Sequence, residues 1–385
     1  MNGQSPKKVV LAAGGTGGHM FPAQALAREL LARDIAVTLI TDQRGGGFGP
    51  DLPQVETYRI SAGAIAGGGL IGKALGVCRL MLGAFQARRL LVTLAPDRVV
   101  GFGGYPSVPT VMAAAHAGLP IVLHEQNAVL GRANRLLAGR AQAIATSFPA
   151  VQGFRDEDRA KTVLTGNPVR SAIAALARKP TAVAGDDDKL HLLVTGGSQG
   201  ASVFNELVPQ AIAALPEPLR RRLSVTQQVR GDVTAQISAR YHEAGVACEL
   251  AAFFDDLPAR LAKAQLVICR SGASTVAELA AAGRPAILVP YPHATDDHQR
   301  ANAEALAEAG GGWLMPQATL TSELLAERLA KILGEPAVLT RAAHCAAATA
   351  RLEAAKSLAE LVLGLLPRTN GASPSKGRDR KDAAA

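Results

Sequence analysis

Three glycine-rich turns hold the residues best placed to do chemistry in this sequence. They are Gly14-Gly15-Thr16-Gly17-Gly18-His19, Gly196-Gly197-Ser198-Gln199-Gly200-Ala201 and Arg270-Ser271-Gly272-Ala273-Ser274-Thr275, each directly after an apolar run. Glycines let backbone N–H groups close on an anion, and a helix N-terminus behind them adds a favourable dipole. One such turn is common in any α/β fold. Three in one chain, two of them opening corresponding halves, point to a ligand that carries a diphosphate.

The kind of diphosphate is narrowed by what the turns lack. No GxxxxGK[ST] occurs, so an ATPase mechanism has no lysine. Met20 stands where the third glycine of a dinucleotide GxGxxG belongs, and Asp42 suits a ribose contact or a plain turn. A dehydrogenase built on the first turn would leave the other two without a role. Metal-dependent sugar transfer sets Asp-x-Asp directly after an apolar strand. Asp156-Glu157-Asp158 and Asp186-Asp187-Asp188 lie instead in polar connectors and read as solvated loops. We therefore expect no metal and no cofactor, with arginine and helix dipoles stabilising the leaving diphosphate. Cys78, Cys248, Cys269 and Cys345 lie far apart, without ligand spacing, and read as reduced thiols.

The elements that must position these turns alternate. Strands are predicted at Lys7–Ala13, Ala36–Thr41, Val55–Ile60, Asp97–Gly101, Pro120–His124 and Gln142–Thr146, with helices at Ala23–Ala32, Ile71–Leu91, Val108–Ala117 and Arg132–Ala138. The back half repeats the pattern, with strands at Leu190–Thr195, Leu223–Gln227, Val246–Leu250, Gln265–Cys269 and Ala286–Pro290. Its helices fall near 201–214, 232–244, 274–282, 299–309 and 320–333, followed by a long helical stretch over 336–366. This βαβα alternation implies an α/β protein with two doubly wound parallel sheets. The domains are expected at 1–170, 171–366 with its C-terminal helices, and a disordered tail over 367–385.

Charge is uneven along the chain. Residues 1–170 carry 18 basic against 10 acidic side chains, while 171–366 carry 18 against 20. A basic front half on a neutral back half suits an anionic surface. No helix-turn-helix, finger or aromatic-studded motif appears, which excludes nucleic acid as the expected partner. After Lys7 and Lys8 the apolar stretch Val9–Ala13 is too short for a signal peptide, and no run reaches the roughly 18 apolar residues of a membrane span.

The turns also sit among ordered motifs: Gly101-Phe102-Gly103-Gly104-Tyr105-Pro106, His124-Glu125-Gln126-Asn127, Gly166-Asn167-Pro168-Val169-Arg170, Cys269–Ala273 and Ala294-Thr295-Asp296-Asp297-His298-Gln299. In that order, from residue 14 to about 310, the chain resembles the bacterial peptidoglycan N-acetylglucosaminyltransferases that convert lipid I to lipid II. The resemblance implies a GT-B fold, two Rossmann-like domains facing across a cleft. It implies inverting transfer of GlcNAc from UDP-GlcNAc to the C4 hydroxyl of undecaprenyl-diphospho-MurNAc-pentapeptide.

The resemblance also assigns residues. Arg170 and Ser198 would meet the UDP diphosphate, and Ala273, Ser274 and Thr275 would offer it helix N-terminal amides. Glu278 would accept from ribose hydroxyls, or serve as a dipole partner near its helix N-terminus. Gln299 would contact the GlcNAc hydroxyls, and the backbone at Phe254 the uracil. On the acceptor side, Thr16, Gly17 and Gly18 would cradle diphosphate, Tyr105 and Asn127 would bond the acceptor, and Asn205 would face the cleft. His19 and Glu125 both remain candidates for the base that takes the hydroxyl proton.

An acceptor on a polyprenyl chain requires a visit to the bilayer. The stretch Leu70–Leu91 mixes Leu75, Leu82 and Phe85 with Lys73 and Arg79, which suits an interfacial helix on anionic lipid. Gly63 and Gly67–Gly69 suggest a mobile loop beside it. The expected location is the cytoplasmic face of the inner membrane, held peripherally, with other cell-wall synthesis proteins left open as partners. A non-catalytic nucleotide-binding scaffold would keep the donor turns, but it would not need His19, Glu125 and the acceptor set together.

Overall fold

The computed structural model describes residues 8–14, 17–43, 45–63, 70–178, 189–197 and 200–364, without the side chains of 70–74 and 178. The first sheet contains β1 (Lys8–Ala12), β2 (Ala36–Asp42), β3 (Glu56–Ile60), β4 (Arg98–Gly101), β5 (Ile121–Glu125), β6 (Ala143–Thr146) and β7 (Thr162–Leu164). Its order is β3-β2-β1-β4-β5-β6-β7, with every pair parallel. The second contains β8 (Leu190–Thr195), β9 (Leu223–Gln228), β10 (Ala247–Ala251), β11 (Leu266–Cys269), β12 (Ala286–Leu288) and β13 (Gly312–Leu314), ordered β10-β9-β8-β11-β12-β13 and also parallel.

Helices cover both sheets. The first domain carries α1 (Gly17–Leu31), α2 (Leu70–Leu94), α3 (Ser107–His116), α4 (Arg132–Leu137) and α5 (Asp156–Arg159), and α6 (Ser171–Ala174) opens the connection onward. The second carries α7 (Val203–Ala213), α8 (Glu217–Arg220), α9 (Thr234–Glu243), α10 (Leu257–Lys263), α11 (Ala273–Ala282), α12 (His298–Glu308), α13 (Ser322–Gly334) and α14 (Pro336–Ala348), with α15 (Ala354–Leu363) last. Strands such as Val9–Ala12 and Leu192–Val194 are buried throughout, because helices on both faces leave neither side to water.

Each sheet reverses strand order at one point, between β1 and β4 in the first and between β8 and β11 in the second. Such switch points open a crevice at the carboxyl ends of the strands, where ligands bind. All three glycine-rich turns leave from strands flanking them.

The structure corrects four expectations. Helix α1 begins at Gly17 and runs through Pro22, so His19 belongs to its first turn. The stretch 336–366 divides into α14 and α15 across the break at Ala350–Glu353. Strands β7 and β13 were not anticipated, since three residues show no periodicity. Finally, α15 does not belong with the second domain. Leu358, Leu361, Val362 and Leu363 join Leu26 and Leu30 of α1 in the first domain's apolar cluster, and Arg98 of β4 donates to the Val362 carbonyl. An amphipathic helix is placed by the nearest apolar face it can cover, not by its position in the chain. The expected tail and the loop at Gly67–Gly69 lie outside the described residues.

Candidate functional site

The first-domain side of the site is built on the ends of β1, β4 and β5. His19 is half-buried on α1, and its Nδ1 lies 3.1 Å from Gln126 Oε1. Burial holds its imidazole below the ordinary value of 6.5. Glu125, the Gln126 hydrogen bond and the Phe102 carbonyl pull the other way, while His298 from the second domain adds to the lowering. Gly104, at φ +70°, lies directly against the ring. A side chain there would begin 3.3 Å from His19 Nε2, so glycine keeps that nitrogen accessible.

Glu125 is saturated. Oε1 accepts from the Asn127 backbone N–H (3.0 Å) and Asn127 Nδ2 (3.3 Å), and Oε2 from the Gly131 N–H (2.9 Å) and Asn134 Nδ2 (2.8 Å). A buried carboxylate with four donors is a clamp on the 126–131 loop rather than an idle base. Asn127 is likewise committed, because its Oδ1 accepts from Asn302 Nδ2 of α12. Tyr105 is half-buried beside the Arg132 guanidinium, whose pKa is raised first by Asp296 and to a smaller extent by Tyr105. Gly17 and Gly18 head α1, where the first amides of a helix have no intrahelical partner. Thr16 lies outside the described residues.

The second-domain side is built on the ends of β8, β11 and β12. Gly196 is required by its surroundings, since a Cβ there would sit 2.2 Å from the Ala201 nitrogen. Ser198 in the same turn lies outside the described residues. At α11 the first helical bond runs from Val276 N to the Gly272 carbonyl, so the N–H groups of Ala273, Ser274 and Thr275 stand at the helix head. Ser274 Oγ is buried there and has no hydrogen-bond partner among the described residues. Glu278, one turn on, is held by Arg170 in a bidentate pair, Nε to Oε1 at 2.8 Å and Nη2 to Oε2 at 3.0 Å. The same guanidinium lies 5.9 Å from the Phe21 ring of α1.

Gln299 accepts the Tyr291 N–H on Oε1 and receives Ser271 Oγ on its backbone carbonyl, and among the described residues its amide N–H groups have no partner. Phe254 is buried under the Arg260 guanidinium, 4.0 Å from the ring centre, and Glu249 and Asp256 pin that arginine. Asn205 lies on α7, in the helix that follows the second glycine-rich turn. Its amide bonds both the Arg230 carbonyl (2.8 Å) and the Arg230 N–H (3.5 Å), bracing the loop after β9. Asp42 is buried at the end of β2, and Asp158 of α5 pairs with Lys161.

Two links across the cleft bring the halves together. Arg132 pairs with Asp296 at 2.8 Å, with Arg135 behind it at 3.8 Å. Asn302, wholly buried, accepts the Ala128 N–H and donates to both Asn127 Oδ1 and the Ser271 carbonyl. Asp296 and Asp297 take left-handed backbone at φ 53° and 51°, costing roughly 1–2 kcal/mol each. Sequence reasoning assigned no role to Gln126, Asn134 or Asn302. Gln126 lay inside a quoted motif, and Asn302 follows Gln299 by three residues on one helix, the only signals available.

Along α2, Leu75, Leu82 and Phe85 are exposed, as are Val77 and Met81, and Arg89 stacks on Phe85 at 4.4 Å. Arg79 is exposed among them, while Lys73 lies in the first turn, whose side chains are outside those described. Ala87, Leu91 and Leu94 form the opposite, buried stripe against α3. Among the described residues no helix is long and apolar enough to cross a membrane.

Residues 9–146 match the glycosyltransferase family 28 N-terminal domain, and residues 191–361 the family 28 C-terminal domain. A protein of Rhodospirillum centenum named UDP-N-acetylglucosamine–N-acetylmuramyl-(pentapeptide) pyrophosphoryl-undecaprenol N-acetylglucosamine transferase is 57% identical over 95% of this chain and 96% of its own. A protein of the same name from Paramagnetospirillum magneticum is 51% identical over 97% and 100%. The crystal structure of Acinetobacter baumannii MurG is 31% identical with a TM-score of 0.76, covering 93% of this chain and 99% of that one. The Neisseria meningitidis UDP-GlcNAc 2-epimerase bound to UDP-GlcNAc, at 13% identity and a TM-score of 0.63, shares the fold over 93% of this chain and all of its own.

Proposed function

The chain belongs to glycosyltransferase family 28, and from that premise we propose that it moves GlcNAc from UDP-GlcNAc to the C4 hydroxyl of undecaprenyl-diphospho-MurNAc-pentapeptide, releasing UDP and lipid II. It is a GT-B hexosyltransferase of peptidoglycan synthesis. The observation that carries the site reading is a pairing across the cleft. The His19 imidazole, with Nδ1 held by Gln126 and Nε2 against Gly104, stands on one side, and an amide-headed helix with Ser274 Oγ, unpartnered among the described residues, stands on the other.

The chemistry follows from those groups. The acceptor O4 attacks C1 of GlcNAc from the face opposite the diphosphate, its proton passes to His19 Nε2, and the C1–O bond breaks toward UDP. One displacement inverts the anomeric centre. Burial keeps His19 neutral near pH 7, the form a general base requires. Glu125 holds the 126–131 loop, so we place the base at His19. Charge on the departing diphosphate is met by the α11 amides and by Arg170. For that, Arg170 exchanges Glu278 for phosphate, which frees the Glu278 carboxylate for ribose hydroxyls. Gln299 contributes amide donors to the sugar. Because the α11 amides and Arg170 can carry the departing charge, we infer that the transfer needs no metal.

The exposed apolar residues of α2, set beside Arg79 and the basic front half, support docking on an anionic membrane surface where the acceptor resides. We place the enzyme peripherally on the cytoplasmic face of the inner membrane.

Turnover of lipid I with UDP-GlcNAc, with UDP-GalNAc as control and with EDTA present, tests the reading. Lipid II formed from UDP-GlcNAc at an undiminished rate in EDTA is the expected result. Loss of turnover that divalent cation restores would overturn the metal-free mechanism, and no lipid II at all would overturn the assigned reaction.

A further inference from the structure

Four polar groups form an unbroken hydrogen-bonded row beneath the cleft. Gln126 is buried, and its Nε2 donates to the Phe102 carbonyl (3.0 Å) and faces both His124 Nδ1 (2.9 Å) and the His124 carbonyl (3.1 Å). Carbonyl oxygens accept only, so the amide nitrogen, not its oxygen, must point that way. Two consequences follow at the two ends of the row. His124 Nδ1 must offer a lone pair, which puts its proton on Nε2, where the Gly166 carbonyl accepts it at 3.3 Å. Burial keeps His124 neutral by lowering its pKa to about 4, in keeping with this arrangement. At the other end Gln126 Oε1 faces His19 Nδ1 at 3.1 Å and can only accept. His19 Nδ1 therefore carries the hydrogen, and its Nε2 keeps the lone pair beside Gly104.

We propose that Gln126 is a positioning residue that locks His19 in the Nδ1–H tautomer, so that Nε2 stands ready to take the acceptor proton. The inference rests on the reading of His19 as the base. Gln126 touches no substrate. It acts through the histidine, and its own orientation is set by the Phe102 carbonyl, His124 and, through His124, the Gly166 carbonyl at the start of the interdomain connection. A tautomer held the wrong way leaves the geometry intact and removes the base.

The test is long-range proton–nitrogen NMR on the full-length enzyme labelled with [15N]histidine at pH 7.5, with His19 assigned by its loss in His19→Ala. A pyrrole-type Nδ1 and a pyridine-type Nε2 are expected, and the reverse pattern overturns the proposal outright. In Gln126→Leu, with folding verified by the thermal shift that UDP-GlcNAc gives, the tautomer should move toward Nε2–H. There kcat should fall by about 10²-fold while KM for UDP-GlcNAc stays within about twofold. An unchanged tautomer in Gln126→Leu overturns the lock. A reversed tautomer with unchanged kcat keeps the lock and overturns His19 as the base, so the two claims fail separately. Should Gln126→Leu not fold, the wild-type spectrum alone decides.

Discussion

At the residue scale, two motifs put one imidazole and one carboxylate on the first-domain side of the cleft, and hydrogen bonding divides their surroundings. Glu125 spends both oxygens on four N–H donors, while His19 holds Nδ1 against Gln126 Oε1. His19→Ala should lower kcat by about 10²–10⁴ and leave UDP-GlcNAc affinity nearly unchanged, measured by turnover with lipid I beside donor titration. A general base works in its neutral form. Because burial, helped by His298, outweighs Glu125 and holds His19 low, the acidic limb of kcat should lie below pH 6.5. Glu125→Gln should act on stability instead. A neutral amide turns an NH2 toward donors it cannot satisfy, at a cost of about 1–3 kcal/mol, visible as a fall in Tm of about 2–10 °C.

At the element scale, α2 and α15 each present a face that sequence alone left ambiguous. The periodicity of α2 equally fits a core-facing amphipathic helix. Its Ala87–Leu91–Leu94 stripe is buried, yet Leu75, Met81, Leu82 and Phe85 remain in water. Large apolar side chains kept together on a surface mark an interaction site. Sedimentation with anionic vesicles should fall on Lys73/Arg79→Glu and on Leu82/Phe85→Ser, and equal binding to neutral vesicles would argue against the membrane reading. For α15, removal of residues 354–385 uncovers Leu26 and Leu30 on α1. At about 1.5–3 kcal/mol per large apolar side chain, the first domain should lose stability. Proteolysis should then cut within the first domain before the second, the reverse of what a helix belonging to the second domain would give.

At the scale of the whole molecule, the two halves meet through groups of unequal weight. Arg132–Asp296 is largely exposed on the arginine side, and such pairs contribute little, about 0–1 kcal/mol. Asn302 is buried and ties Ala128 and Asn127 of one domain to Ser271 of the other. Asn302→Ala orphans a buried N–H and a carbonyl across the interface. It should cost more than Arg132→Ala in thermal stability and should widen the domain arrangement seen by small-angle scattering. Equal effects of the two substitutions would place the hinge elsewhere. Under the proposed exchange of Glu278 for phosphate, Arg170 couples UDP-GlcNAc binding to the connection between domains.

The turns, the alternating strands and helices, the two-domain plan and the family were all legible in the sequence. They rest on local rules: periodicity, glycine in tight strand-to-helix turns, and motif order. Short strands such as β7 and β13 escaped because three residues carry no period. What tertiary structure alone decided is which polar atoms are left over. Glu125 and His19 are equally good bases as residue types, and only the donors that folding brings to each oxygen and nitrogen tell them apart. Asn127 and Asn205 likewise turned out to be engaged, one with Asn302 and the other with Arg230, partners 175 and 25 residues away. The return of α15 to the first domain has the same origin. Burial and hydrogen-bond satisfaction belong to the folded environment, and residues far apart in the chain supply it.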